Sequence, residues 1–414
     1  MELIPSPYKA LTENHTPFQE IAAHSLKMGV TSFGGPVAHI GLFTNYLVNQ
    51  KKIISESKFL SFLTICNILP GPTSSQLITT IFLWKSNSIK GGMISFFCFN
   101  LPGLIIILIL AAFLKDSQIN YDSNKVVKSI IYGIWQAAVA LVFQAGVNLT
   151  KKLISSRFQL LLILTSFVTY TCFPHYYVMI ILMAICGTIS FLKNEDGLAM
   201  KFETEKNFTE ITFLGLPSLI VWASIYLLLT LLTIFTDSWT ISIFERFYRI
   251  GSLIIGGGHV VIPMLLSEFS SLSQSEIYNA FSIVSLLPGP MFNMAGYIGT
   301  AMGGVIIGFL SAVFLFLPGF LLLFGGLGFL DRINNERKMQ TFLKGIGSAS
   351  IGFIFSAFGI LWWKSCFAER KLVEVVMNSL NVVICFFLIE KRKMNIVLVN
   401  IIAVSFSLIT NMVL

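Results

Sequence analysis

Uninterrupted apolar stretches long enough to cross a hydrocarbon core of about 30 Å run over 91–114, 128–149, 211–235, 305–330 and 341–363. Shorter or more polar stretches at 158–173, 176–192, 372–389 and 396–414 bring the expected spans to nine. A further set, 18–33, 36–48, 58–69 and 73–84, is apolar but too short to cross comfortably, and its members meet at Gly-Gly-Pro or Pro-Gly-Pro. Proline lacks a backbone donor and clashes with the preceding turn, whereas glycine permits a reversal. Each pair is therefore expected to form a broken helix or a hairpin that turns back within the bilayer. Irregular backbone survives at that depth only where protein or a water-filled cavity satisfies its polar groups. The pattern predicts an all-α polytopic membrane protein with re-entrant segments.

The chain also repeats itself. Lys27-x-Gly29 followed by Gly34-Gly35 answers to Arg249-x-Gly251 followed by Gly256-Gly257, at an offset of 222. Pro70-Gly71-Pro72 answers to Pro288-Gly289-Pro290 at 218, Leu101-Pro102-Gly103 to Leu317-Pro318-Gly319 at 216, and Gly133-Ile134 to Gly345-Ile346 at 212. Landmarks in one order, with an offset falling by small deletions, indicate an internal duplication. The expected organisation is a polar N-terminal segment (1–17), a first repeat (18–192), a polar linker (193–210), an unpaired transmembrane helix (211–236) and a second repeat (237–414). The odd helix would invert the second repeat relative to the first.

Composition narrows the function classes. Of 414 residues 55% are hydrophobic and 12% charged, against about 25% charged in soluble domains, which excludes a soluble enzyme with a single anchor. The first twenty residues are polar and contain proline, so no cleavable signal is expected. The net charge of +8 sits in short loops between apolar segments, and it is read as a topology signal rather than a nucleic-acid footprint. With the N-terminus in the cytoplasm and the second repeat inverted, eighteen Lys and Arg fall inside and six outside, as the positive-inside rule requires. The six cysteines lie in apolar runs without a C-x-x-C pair and are read as packing residues. A multi-pass protein of the cell membrane is expected, with homo-oligomerisation left open.

A helix restarting after a Gly-Gly or Pro-Gly-Pro break presents unpaired N–H groups and a positive dipole end, a combination that favours an oxyanion. The backbone candidates are Gly34, Gly35, Pro36, Pro70, Gly71 and Pro72 in the first repeat, and Gly256, Gly257, Gly258, Pro288, Gly289 and Pro290 in the second. Ser74, Ser75, Gln76 and Asn293 follow the breaks and add neutral donors, unless they only cap and pack helices. Lys27 and Arg249 occupy matching places about two helical turns before the glycine breaks. They either face the anion or snorkel to the interface. His39 and His259 are candidate proton relays, with Glu268 as a partner in a turn expected to face solvent.

The block Lys27-Met-Gly-Val-Thr-Ser-Phe-Gly-Gly-Pro-Val-Ala-His39, its partner Arg249-Ile-Gly-Ser-Leu-Ile-Ile-Gly-Gly-Gly-His259, and the stretches Pro70-Gly-Pro-Thr-Ser-Ser-Gln76 and Pro288-Gly-Pro-Met-Phe292 resemble those of the chromate ion transporter (CHR) family. The resemblance runs from Phe18 to Phe358. It implies a two-domain membrane protein that exports chromate or handles related oxyanions such as sulfate. No G-x-x-x-x-G-K-[ST] loop is present, so an ion gradient or the membrane potential, and with it a coupling proton or other ion, is expected to supply the energy. No cofactor is expected. Two other classes stay open: a non-transporting membrane scaffold or receptor, and an intramembrane metalloenzyme using His39, His259 and Glu268.

Overall fold

A computed structural model describes residues 17–116, 125–154, 156–193, 209–255, 261–269, 274–328, 337–367, 371–392 and 394–413. Among them there is no strand. In the first repeat the helices are α1 (Phe18–Thr31), α2 (Gly35–Phe43, continued by a π turn at Thr44–Gln50), α3 (Glu56–Ile68), α4 (Thr73–Ser86), α5 (Ile89–Asp116), α6 (Lys125–Leu153), α7 (Arg157–Cys172) and α8 (Tyr176–Lys193). The single helix α9 (Thr209–Phe235) follows. In the second repeat they are α10 (Trp239–Leu253), α11 (Val261–Glu268), α12 (Gln274–Leu286), α13 (Met294–Gly303, entered through a 3-10 turn at Met291–Asn293), α14 (Val305–Gly328), α15 (Arg337–Trp362), α16 (Leu372–Glu390) and α17 (Ile396–Val413).

Six of the described helices are long and apolar enough to cross a membrane. The protein is a multi-pass integral membrane protein, and each of the nine expected spans is a helix. Polar residues set several starts: Ser55 and Ser238 accept from the N–H groups of Lys58 and Ile241, and Ser156 forms a capping box with Gln159, satisfying donors that a helix leaves unpaired. Little of the described part of α9 is buried, and Leu216, Ile220, Leu227, Leu228 and Ile234 are exposed, as suits a helix with a face to lipid.

The short segments are hairpins. Across the Pro70-Gly71-Pro72 turn, Cys66 Sγ lies 3.9 Å from Thr80 Oγ1 and the Phe62 ring 6.0 Å from Trp84. Across the Gly34-Gly35 break, His24 Nδ1 meets the Tyr46 hydroxyl at 2.8 Å. In the second repeat Arg249 reaches Glu268, and the Phe247 and Phe269 rings are 4.7 Å apart.

The repeats exchange partners. Helix α6 packs against α16 and α17, while its counterpart α15 packs against α7 and α8. Without a hydrophobic drive between helices in lipid, close packing depends on small residues. Gly133 of α6 lies against the backbone of Ala403 and Val404, and Gly345 of α15 against that of Cys186. Where α6 and α15 meet they run antiparallel. Phe143 packs on Phe358 with ring centroids 4.7 Å apart, Gly146 faces Phe355, and Trp135 and Ala138 line a small cavity with Leu361 and Lys364. At one end of the bundle, Lys151 pairs with Glu390 at 3.0 Å, Lys193 lies 3.7 Å from the Phe158 ring centre, and Lys338 lies 5.6 Å from that of Phe191.

Candidate functional site

The two Pro-Gly-Pro turns dock on the opposite repeat, each in the same way. The N–H of Gly71 donates to the carbonyl of Ile254, at the end of α10, at 2.7 Å. The N–H of Gly289 donates to the carbonyl of Ser32, at the end of α1, at 2.8 Å. Gly71 corresponds to Gly289, and Ser32 to Ile254, at the offsets already described. Both glycines have positive φ, +125° and +99°, in a region that costs an L side chain strain.

Each turn also lies against the Pro-Gly kink of a long helix in the other repeat. A Cβ at Gly71 would stand 2.7 Å from Gly319 Cα, and one at Gly103 would collide with the Pro288 carbonyl. Pro102 and Pro318 lie inside α5 and α14. A proline leaves a carbonyl one turn back without its helical partner. A chain of rings, Phe320 to Phe96 (4.2 Å), Phe96 to Phe316 (5.7 Å) and Phe316 to Phe292 (5.6 Å), connects the two junctions.

Helix N-termini converge here without side-chain caps: α2 behind Gly34, α4 behind Pro72, and the 3-10 turn behind Pro290. Gly35 has positive φ, and a Cβ there would meet Met291 Sδ at 3.2 Å, so the start of α2 adjoins the second turn. Gln76 Nε2 donates to the carbonyls of Pro70 (2.7 Å) and Gly319 (2.8 Å), and Ser75 Oγ donates to Asn100 Oδ1 (2.7 Å). The donors of Gln76 and Ser75 are thus engaged within the protein; Ser74 is buried beside them. Among the buried polar atoms with no hydrogen-bond partner are Gln76 Oε1, an acceptor, at the first junction, and Ser32 Oγ and both side-chain atoms of Asn293 at the second. A buried polar group without a partner costs roughly 1–3 kcal/mol.

The cations differ between the repeats. Lys27 is exposed, with Nζ 4.5 Å from the centre of the Tyr46 ring. Arg249 is held between two carboxylates, Glu245 at 3.3 Å and Glu268 at 2.6 Å, while Arg246 Nη1 donates to the Glu268 carbonyl at 2.8 Å. Glu268 was expected in a solvent-facing turn; its side chain is instead 5% exposed at the end of α11. Two arginines neutralise it there, which makes burial tolerable. His39 is buried between the Phe43 and Phe99 rings, at 6.2 and 5.9 Å. Gly256, Gly257, Gly258 and His259 lie outside the described residues. Among the described residues no group of three His, Cys, Asp or Glu side chains is arranged to hold a metal ion.

The sequence reading missed Tyr46, Glu245, Arg246 and Asn100. The signal for two of them was present: the offset of 222 that pairs Lys27 with Arg249 also pairs Tyr46 with Glu268 and His24 with Arg246.

The family model described as chromate transporter matches residues 19–191 and 241–408. The chain is 23% identical over 387 residues to the chromate transport protein of Cupriavidus metallidurans, covering 91% of this chain and 89% of the relative. It is 23% identical over 349 residues to a probable chromate transport protein of Synechococcus elongatus, covering 83% and 84%. It is 21% identical over 397 residues to the chromate transport protein of Pseudomonas aeruginosa, covering 92% and 90%. No solved structure matches it significantly.

Proposed function

The chain belongs to the chromate transporter family, and from that premise we propose that it is a secondary transporter of inorganic oxyanions, chromate or a sulfate-like anion. The anion binds where the two repeats meet at the Pro-Gly-Pro turns. The observation that carries this reading is the pair of buried, unpartnered donors at the second junction, Ser32 Oγ and Asn293 Nδ2, beside the starts of α2 and of the 3-10 turn behind Pro290, which have no side-chain caps. Uncapped N–H groups, a positive dipole end and neutral donors replace the hydration of an anion at the junction.

The two repeats, 18–192 and 237–414, are inverted about α9. Support comes from the antiparallel meeting of α6 with α15 and from the balance of basic residues described above. A divalent anion leaving a negative-inside cell gains about 2.3 kcal/mol per charge for each 100 mV, so efflux is the favoured direction and the membrane potential a sufficient drive. Chemistry on the anion is not part of the activity.

Equilibrium binding of labelled sulfate and chromate to the purified protein tests the site. Asn293→Leu and Ser32→Ala should each raise the half-saturating concentration about tenfold or more, the size of one hydrogen bond to a charged group. Their melting temperatures should not fall below the wild type, because each change removes a buried polar group that completes no bond within the protein. Unchanged affinity in both variants would remove the junction as the site.

A further inference from the structure

The clusters at corresponding places in the two repeats are built from the same positions and carry different charge. In the first, His24 and Lys27 of α1 meet Tyr46. In the second, Arg246 and Arg249 of α10 meet Glu268. The fold at this locus therefore closes without a carboxylate, and Glu268 is an addition made in one repeat only. Arg249 stands five residues before Ile254, whose carbonyl accepts from Gly71, about 7.5 Å along the helix from the junction.

Two features bear on what that carboxylate does. Its Oε2 is 2.6 Å from Arg249 Nη2, whereas Oε1 is buried with no hydrogen-bond partner. The guanidinium fork suits a carboxylate or a tetrahedral oxyanion equally, because both offer paired oxygens. Among the described residues, the charged and titratable groups facing Glu268 are Glu245, Arg246 and Arg249 from α10 and Tyr170 from α7. Glu245, Arg246, Arg249 and Glu268 sum to zero charge. An anion drawn to Arg249 would leave Glu268 without its counter-ion unless that carboxylate were neutralised.

Resting on the oxyanion reading above, we propose that Arg249 is a second locus on the path of the anion to the junction, that Glu268 competes with the anion for it, and that a proton from the aqueous medium on Glu268 releases the arginine to the anion. The proton adds to the unpartnered Oε1 as the anion replaces Oε2 on Nη2, and it returns to the medium when the anion leaves and the ion pair closes. Each anion bound therefore brings one proton. The first repeat, with Tyr46 at this place, has no such exchange.

Sulfate is the probe, since it keeps both charges across the neutral range and its own titration does not intrude. Purified full-length protein in weakly buffered detergent solution is mixed with sulfate, and proton uptake is read with a pH-sensitive dye alongside the binding isotherm. Wild-type protein should take up close to one proton per sulfate bound, and its affinity should tighten by up to about tenfold for each unit of falling pH. Folded Glu268→Gln should bind sulfate with pH-independent affinity and no proton uptake. Sulfate binding without uptake in the wild type would overturn the exchange and leave the transporter reading standing. Uptake that persists in folded Glu268→Gln would overturn it as well. Absence of sulfate and chromate binding at every pH would overturn both readings together. Should Glu268→Gln fail to insert, the wild-type stoichiometry decides alone.

Discussion

Lys27 and Arg249 hold corresponding places in the two repeats, yet they stand in different electrostatic surroundings. Arg249 is 15% exposed and bonded to Glu245 and Glu268, whose side chains are 8% and 5% exposed. Removing one partner of a buried ionic cluster leaves the others uncompensated, at a cost of about 3–5 kcal/mol. Lys27 is itself exposed and rests on the Tyr46 ring, an interaction of roughly 0.5–1 kcal/mol for an exposed cation. Thermal unfolding in detergent should therefore show Arg249→Gln strongly destabilised and Lys27→Gln close to wild type. Equal melting temperatures in the two variants would contradict the ion network. The matched cations were legible in the sequence because a basic residue recurs at a fixed offset in an apolar stretch. Their different environments were not, because Tyr46 and Glu268 lie 19 residues further along, across a chain reversal.

At the scale of elements, the breaks were legible and their docking was not. Gly-Gly-Pro and Pro-Gly-Pro announce a reversal through local sterics alone, and the hairpins fall where they were expected. That each turn seats on a kinked helix more than 180 residues distant depends on contacts that no local periodicity encodes. This docking gives a prediction opposite in sign to helix propensity. Alanine in place of glycine within a helix ordinarily stabilises by about 0.4–1 kcal/mol. At Gly103 the new Cβ would collide with the Pro288 carbonyl, and at Gly319 it would stand 2.9 Å from Gly71 Cα. Gly103→Ala and Gly319→Ala should each lose about 1–3 kcal/mol, as overpacked sites do. Gly347→Ala, with no atom within 4 Å of the added methyl, should be neutral or stabilising. Melting curves of the three variants check this, and a stabilised Gly103→Ala would show that the repeats do not press together there.

Across the whole molecule, duplication explains why one description serves both halves. Each repeat lends α7–α8 or α16–α17 to the long helix of the other, so neither half closes its packing alone. The repeat itself was legible from glycine and proline landmarks. The exchange was not, since lipid-facing and partner-facing apolar surfaces have the same composition when helices associate without a hydrophobic drive. The proposed inverted arrangement would put the starts of α6 and α15 on opposite sides of the membrane. Single cysteines at the exposed positions Lys125→Cys and Lys338→Cys, treated with an impermeant thiol reagent in a cysteine-free background, should react from opposite sides; reaction from one side would refute inversion.

The central claim is that this protein moves an oxyanion across a membrane without a chemical fuel, and flux in liposomes tests it most directly. Purified protein is reconstituted with labelled chromate or sulfate inside, and efflux is followed under an imposed inside-negative potential, with Asn293→Leu as the matched control. The account predicts protein-dependent efflux that accelerates with the potential, saturates with the anion and falls by about tenfold in the variant at subsaturating anion, in proportion to the weakened binding. Efflux no faster than from empty liposomes, for both anions and at every potential and pH, would contradict it.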